Sequence, residues 1–213
     1  MDTQLAPERT QAVTVAAPAC NLCGGTQFGP GPGGRLGKDQ LGPHCMACGS
    51  LERHRAAARV LQTLYEGDLD WRRALLLGSE RGANPRWFAH CESLPSERPG
   101  SLPAALAGYA AGSVDFIGAI HLFEYLDNDR AAFARLLRLL SPRGVLLVCF
   151  ADPRVRPWTT IQVGPAGSVR RWYGRDLARH FRCSELDVAM GMHEAADPGT
   201  GDVLPVHLFQ HQP

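Results

Sequence analysis

Four cysteines, in the pairs Cys20-Asn-Leu-Cys23-Gly24 and Cys45-Met-Ala-Cys48-Gly49, carry the most specific chemistry in this chain. Two residues between cysteines let one tight turn aim both sulfurs at a single ion. The glycine after each second cysteine lets the backbone turn back, so that its N–H groups face thiolate sulfur. The gap between the pairs, residues 24 to 44, is slightly longer than the usual ribbon spacing but holds a hairpin. Four thiolates in a tetrahedral array favour Zn²⁺ over the oxygen-seeking Mg²⁺ or Ca²⁺. All four positions come from protein, so Cys20, Cys23, Cys45 and Cys48 are expected to hold a structural ion. Two disulfides or four unrelated thiols are the competing readings, and a disulfide framework calls for a secreted setting that nothing here supplies.

Other reactive side chains follow short apolar runs. Leu77-Gly78-Ser79-Glu80-Arg81-Gly82 ends the first such run, where small residues let a ligand approach the backbone. The stretch equally suits an ordinary strand-to-helix turn. His121-Leu-Phe-Glu124-Tyr125 follows the run at 114–120, so both ionisable groups leave the same sheet edge. A neutral His relays a proton and a carboxylate orients a cationic ligand; a solvated helix start is the plainer alternative. Arg53-His-Arg55 reads more simply as a partner for acids of the main domain than as a nucleic-acid contact. In Val169-Arg-Arg-Trp-Tyr173-Gly-Arg-Asp176, Asp176 supports the start of the next helix, and Arg171 or Tyr173 is placed to close over the crevice. Trp172 and Tyr173 also suit a core or rim position. Cys91, Cys149 and Cys183 sit in or beside apolar segments and read as small buried hydrophobes. No Ser-His-Asp order, P-loop or acidic metal cluster is present.

The elements that must position these groups fall into four blocks: a flexible leader at 1–18, a zinc ribbon at 19–50, a connecting helix within 51–70 and an α/β domain at 71–213. Ser50 is a candidate helix N-cap with Glu52 in the first turn. Leu51, Ala58, Leu61, Leu64 and Tyr65 allow one apolar face. Strands are expected at 74–77, 87–91, 114–120, 145–150 and 203–209, the last on an edge. Helices are expected at 128–140 (Ala131, Phe133, Leu136, Leu137 and Leu140 buried) and 175–181, with a turn at Ser141-Pro-Arg-Gly144. Nearly all-apolar strands alternating with helices indicate a mostly parallel sheet covered on both faces. Ligands bind such a sheet beyond the carboxyl ends of its central strands.

Composition excludes several classes. With 45 % hydrophobic residues the chain buries a sizeable core. No apolar run approaches the roughly 20 residues of a membrane helix, and the N-terminus lacks a signal-peptide pattern. A cytoplasmic address and no membrane partner are therefore expected. A formal charge of +1 gives nucleic acid no support. Lys38 is the single lysine; arginine-rich, Ala- and Gly-rich usage reads as the bias of a GC-rich bacterial genome.

Several segments, in order, resemble the zinc-ribbon class I methyltransferases that use S-adenosylmethionine. Cys45-Met-Ala-Cys48-Gly-Ser-Leu-Glu-Arg-His-Arg55 is similar to their ribbon-to-helix join. Val114-Asp-Phe-Ile with His121-Leu-Phe-Glu124-Tyr-Leu-Asp-Asn-Asp129 resembles their fourth strand and its His-Val-Leu-Glu-His sequel. Leu139-Leu-Ser-Pro-Arg-Gly144 resembles their Pro-Gly-Gly turn, and Arg171-Trp-Tyr-Gly-Arg-Asp-Leu177 their late Tyr-Gly-Arg-Asp signature. The resemblance implies a Rossmann-like methyltransferase sheet behind the ribbon. It sets Gly78, Ser79, Glu80 and Gly82 against the methionine part of the cofactor and Glu92, at the carboxyl end of the second strand, on the ribose hydroxyls. His121 and Glu124 would line the floor beside the reacting methyl group. The chain departs from the pattern in three places. The segment from Gly78 to Asp115 is short, Ser101-Leu-Pro103 stands where an acid usually meets adenine, and Tyr125 replaces the second histidine. The expected activity is methyl transfer to an unidentified small-molecule or protein acceptor. The alternative is a non-catalytic zinc-ribbon binding protein on the same scaffold; an RNA substrate recruited by the ribbon is a third reading.

Overall fold

The computed structural model describes residues 18–78, 82–94, 102–165, 168–182 and 187–212. Each cysteine knuckle closes as a tight turn: Gly24 and Gly49 donate to the carbonyls of Cys20 and Cys45 at 2.7 and 2.9 Å. Both glycines take the left-handed backbone that residues with a Cβ avoid. Strands β1 (Phe28–Gly29) and β2 (His44–Cys45) pair antiparallel beneath them.

Helix α1 (Glu52–Leu64) leaves the second knuckle and buries Ala56, Ala57, Val60 and Leu61. Leu51, not Ser50, occupies its N-cap, and the Leu51 N–H donates to His54 Nδ1 at 2.9 Å. Ser50 is drawn instead to the sulfurs, 3.3 Å from Cys20 Sγ and 3.2 Å from Cys48 Sγ. Glu52 pairs with Arg35 across the ribbon.

The six-stranded sheet contains β3 (Arg73–Leu77), β4 (His90–Leu94), β5 (Val114–Ile120), β6 (Leu140–Cys149), β9 (Val188–Ala196) and β10 (Val203–His211). Its order is β4-β3-β5-β6-β10-β9, with parallel pairing from β4 to β6 and antiparallel pairing around β10. The strand expected at 87–91 begins three residues later, because Asn84 and Pro85 start a short 3-10 turn at Pro85–Trp87. The 203–209 strand is interior, and β9 forms the edge in its place. Ser141 to Gly144 lie within β6 as an irregularity: the ladder passes from Val114–Leu140 directly to Phe116–Val145. Asp115 faces that irregularity, accepting from Ser141 Oγ at 2.8 Å and from Arg73 N at 2.9 Å.

Strand alternation splits the core into two layers. Ala74, Leu76, Phe116, Ile120, Val145, Leu147, Val206 and Leu208 face α1 and the 83–88 segment. Leu75, Leu77, Ile117, Ala119, Leu146, Val148 and Phe209 face the other side. That side carries α2 (Leu102–Ala105), α3 (Asp129–Leu139) and α4 (Leu177–His180). Asn128 caps α3 by accepting from Ala131 N, and Phe133, Leu136, Leu137 and Leu139 are its buried apolar residues; Ala131 is exposed and Leu140 opens β6. A hairpin of β7 (Thr160–Val163) and β8 (Val169–Trp172) stands apart from the sheet. No helix among the described residues is long and apolar enough to cross a membrane.

Candidate functional site: a four-cysteine cluster and a sheet-edge crevice

The four predicted sulfurs converge. All lie within 4.8 Å of one another, with Cys20–Cys48 at 3.8 Å and Cys23–Cys45 at 3.7 Å. A tetrahedron with Zn–S bonds of about 2.3 Å has sulfurs about 3.8 Å apart. The donor set and spacing therefore fit Zn²⁺, with every position filled by protein. Gly25 N points at Cys23 Sγ from 3.4 Å, and the Ser50 hydroxyl, with one proton to give, lies within reach of two more sulfurs, Cys20 and Cys48. Such contacts orient ligands and disperse thiolate charge.

Behind the cluster, Arg55 is completely buried and uses all its N–H groups. It meets Asp197 at 2.6 and 2.8 Å, the Ser50 carbonyl at 2.8 Å, Ser50 Oγ at 3.4 Å and the Pro43 carbonyl at 2.9 Å. Its guanidinium also lies over the Phe28 ring. Arg55 thus joins both strands' surroundings in the ribbon to the turn between β9 and β10. The pairing of this helix with an acid of the main domain was legible; its partner was not.

The switch point of the strand order, beyond whose carboxyl ends ligands bind in such sheets, lies between β3 and β5, and that edge is the candidate crevice. Gly78 ends β3 with φ of +86°, and His121 leaves β5 beside it with φ of +48°, an unusual value for a side chain with a Cβ. His121 Nδ1 is 3.0 Å from Glu124 Oε1. The same oxygen accepts the Ala151 N–H at 3.0 Å, joining the ends of β5 and β6. Glu124 Oε2 is buried without a partner. A bare carboxylate oxygen in a buried position calls for a donor or a cation.

The remaining predicted residues divide. Ser79 and Glu80 lie outside the described residues. Gly82 is buried, and a Cβ there would stand 2.2 Å from Ile120 Cδ1 and 3.0 Å from Ala57 Cβ. It is a close-packing point between β5 and α1, facing side chains. From it the chain runs onto the ribbon, where Asn84 Nδ2 donates to the Leu22 carbonyl at 2.9 Å. Glu92 is not at the end of its strand. It pairs with Leu75 in mid-ladder, two residues before Leu94, because β4 starts late. Its carboxylate is taken by Tyr109 and His90, whose hydrogen bonds, Tyr109 first, hold its carboxyl below the usual range. Ser101 is outside the described residues. Leu102 and Pro103 start α2 and, with Leu126, Asn128 and Arg135, border a cleft of roughly 350 Å³.

A buried polar knot holds the segment bearing Glu124. Arg171 Nη1 donates to the Leu126 carbonyl at 2.8 Å. Tyr173 and His180 both bond Asp129 Oδ2, at 2.7 and 2.6 Å. Burial works against the Asp129 carboxylate, yet the bonds from His180 and Tyr173 and the charge of Arg171 outweigh it and keep its carboxyl below the ordinary range. Arg171 and Tyr173 are thus pinned in the core beside the crevice. Asp129 and His180 were missed in the sequence; the spacing of Asp129 after an Asn cap was the available signal.

No protein-family model matches the chain, and no curated protein matches it. Among solved structures, it is similar to a 1,6-didemethyltoxoflavin-N1-methyltransferase from Burkholderia thailandensis, solved with bound 1,6-didemethyltoxoflavin and S-adenosylhomocysteine. The identity is 16 %, over 74 % of this chain and 77 % of that one, with a TM-score of 0.51. An S-adenosylmethionine-dependent methyltransferase from Mesorhizobium loti matches more loosely, at 13 % identity over 73 % of this chain and 98 % of that one, TM-score 0.47. At such identities the likeness concerns the fold. The chain has the Rossmann-like sheet of class I methyltransferases, preceded by a cysteine cluster compatible with a zinc ribbon.

Against that fold, S-adenosylmethionine asks for an anion near its sulfonium and amino groups and acceptors near its ribose. The unpartnered Glu124 Oε2 fits the first requirement. Among the described residues near the ribose end, Glu92 is the acid that was expected, and its carboxylate is already engaged.

Proposed function

We propose that this chain is a zinc-ribbon methyltransferase that binds S-adenosylmethionine at the β3–β5 crevice and methylates an acceptor presented there. The observation that carries the reading is the buried Glu124 carboxylate, with one oxygen committed and the other bare, beside the strained His121. When bound, the cofactor supplies an activated methyl group, so alignment is the main demand on the protein. Glu124 orients His121 and offers its free oxygen to the cationic end. If Nδ1–H of His121 donates to Glu124, the neutral ring keeps Nε2 as an acceptor, suited to drawing a proton from the acceptor group. Gly78 leaves room at the end of β3. The four cysteines would hold zinc and fix the ribbon against α1.

A second reading, a non-catalytic scaffold, is favoured by the engagement of Glu92 and by Gly82 packing against Ile120 and Ala57. Photocrosslinking with methyl-labelled S-adenosylmethionine, followed by peptide mapping, separates the two. Label on the peptide containing His121 to Leu126, lost in Glu124→Gln, is the result for an enzyme. Label scattered over surface peptides, or none, supports the scaffold.

A further inference from the structure

Four large apolar side chains within nine residues stand more than half exposed: Val155 at 71 %, Trp158 at 64 %, Ile161 at 58 % and Val163 at 68 %. They lie on and just before β7, whose four residues all face solvent. Their exposure stabilises nothing in the fold. Arginine surrounds them. Residues 153–182 contain seven arginines (154, 156, 170, 171, 175, 179 and 182) against one carboxylate, Asp176. The remainder of the chain then carries 15 basic residues (22 less 7) against 20 acidic ones (21 less 1). The near-neutral total hides a basic segment on an acidic body.

Two of these arginines are spoken for. Arg171 is buried, and Arg154 pairs with Asp152 and Glu194. Asp176 turns its carboxylate to Thr159, accepting from its N–H and hydroxyl at 2.8 Å. Arg156 and Arg170 lie over the Trp172 ring, at 5.7 and 5.0 Å, which holds two cations on the hairpin. Arg175, Arg179 and Arg182 are exposed beyond it.

We propose that the β7–β8 hairpin docks the protein reversibly on an anionic lipid surface. The register sets Ile161 and Val163 on one face of the hairpin and Arg170 and Trp172 on the other, so docking is edge-on. β7 leads, carrying Ile161 and Val163 with Trp158 into the headgroup boundary, and Arg156, Arg170 and Arg175 meet lipid phosphates one strand spacing behind. The mixture of side chains selects this occupant. Single-stranded nucleic acid would use the arginines and a tryptophan but offers nothing to Val155, Ile161 and Val163. A protein groove would take the aliphatics without requiring so many unneutralised cations. The lipid interface takes both, with tryptophan at headgroup depth and basic groups at the phosphates. This surface is separate from the methyl-transfer reading and stands or falls without it.

The test uses the full zinc-loaded chain and sedimentable vesicles of phosphatidylcholine, alone or with about a third phosphatidylglycerol. Binding is expected to the anionic vesicles only, and to fade as salt rises from about 0.05 to about 0.5 M. Arg156→Gln and Arg170→Gln should each weaken it by about fivefold. The Trp158→Ser/Ile161→Ser variant should weaken it by about tenfold or more with an unchanged thermal midpoint, since both side chains are exposed in the fold. No sedimentation with anionic vesicles, or a double variant that binds them undiminished, overturns the proposal. So does a hairpin whose substitutions abolish binding of a single-stranded oligonucleotide or self-association while vesicles are ignored.

Discussion

Arg55 and Asp197, 142 positions apart, form a two-pronged ion pair in which neither side chain reaches solvent. The carboxylate also accepts from Thr200 N and Oγ1, so the turn between β9 and β10 is organised around it. Through Ser50, the same arginine touches the residue that serves the cysteine sulfurs. Ribbon, helix and sheet edge therefore share one electrostatic joint.

Breaking that joint leaves a buried charge alone. Arg55→Leu or Asp197→Asn should each cost about 3–5 kcal/mol, a fall of roughly 6–20 °C in thermal midpoint for a chain of this size. Arg55→Leu combined with Asp197→Leu should cost less than the two single changes added. A loss below about 1 kcal/mol in the single variants, by denaturant titration, would remove the pair from its anchoring role.

On the zinc reading of the cysteine cluster, the ribbon's order depends on the metal. Cys45→Ser should lower bound zinc from one equivalent to little or none and expose the β1–β2 region to proteolysis, because metal binding and folding are coupled in such modules. Zinc content by mass spectrometry of the intact native protein reads this directly. A zinc-free variant with unchanged proteolysis would mean that the ribbon folds without metal.

The knuckles and central strands were legible because their signals are local: cysteine spacing, and apolar runs such as Val114–Ile120 and Val145–Cys149. What escaped depends on distance or on exposure. β9 shows mixed burial and no clean apolar run, so it left no pattern, and its presence moves Val203–His211 from edge to interior. The β7–β8 hairpin is too exposed to show a core-facing alternation. Glu92 was expected at a strand end, but β4 starts only after the 3-10 turn at Pro85–Trp87 and runs on to Leu94, so Glu92 falls in mid-strand. The union of His121 with Glu124 was approachable from their i, i+3 spacing, whereas Asp129 with His180 is a contact across 51 positions.

His207 supplies a pH dependence. Burial pushes its imidazolium down to about 4, from an ordinary 6.5, and Nδ1 has no partner. The unfolded chain therefore takes up a proton that the fold refuses. The neutral ring's contribution is complete above pH 6.5 and is lost as pH falls from 6.5 toward 4, by at most about 3 kcal/mol. His207→Leu should flatten this part of the stability profile, measured by urea denaturation across that range. An unchanged slope would show that His207 is protonated freely in the fold.

The knot at Asp129 acts on the crevice through position. Asp129→Asn should weaken the bonds from His180 and Tyr173 and cost about 1–3 kcal/mol. Arg171→Lys should loosen the carbonyls it gathers near Leu126. Both should reduce S-adenosylhomocysteine affinity by a larger factor than exposed controls such as Arg130→Gln. Equal affinity in all three would confine the knot to stability.

Calorimetric titration of the zinc-loaded protein with S-adenosylmethionine, and of Glu124→Gln in parallel, decides whether the β3–β5 edge holds the cofactor through Glu124. Saturable binding near micromolar strength is expected in the natural sequence and about tenfold or greater weakening in the variant, since a bare buried carboxylate is replaced by a neutral amide. No heat and no thermal stabilisation at millimolar ligand, in a folded protein holding its zinc, would contradict it.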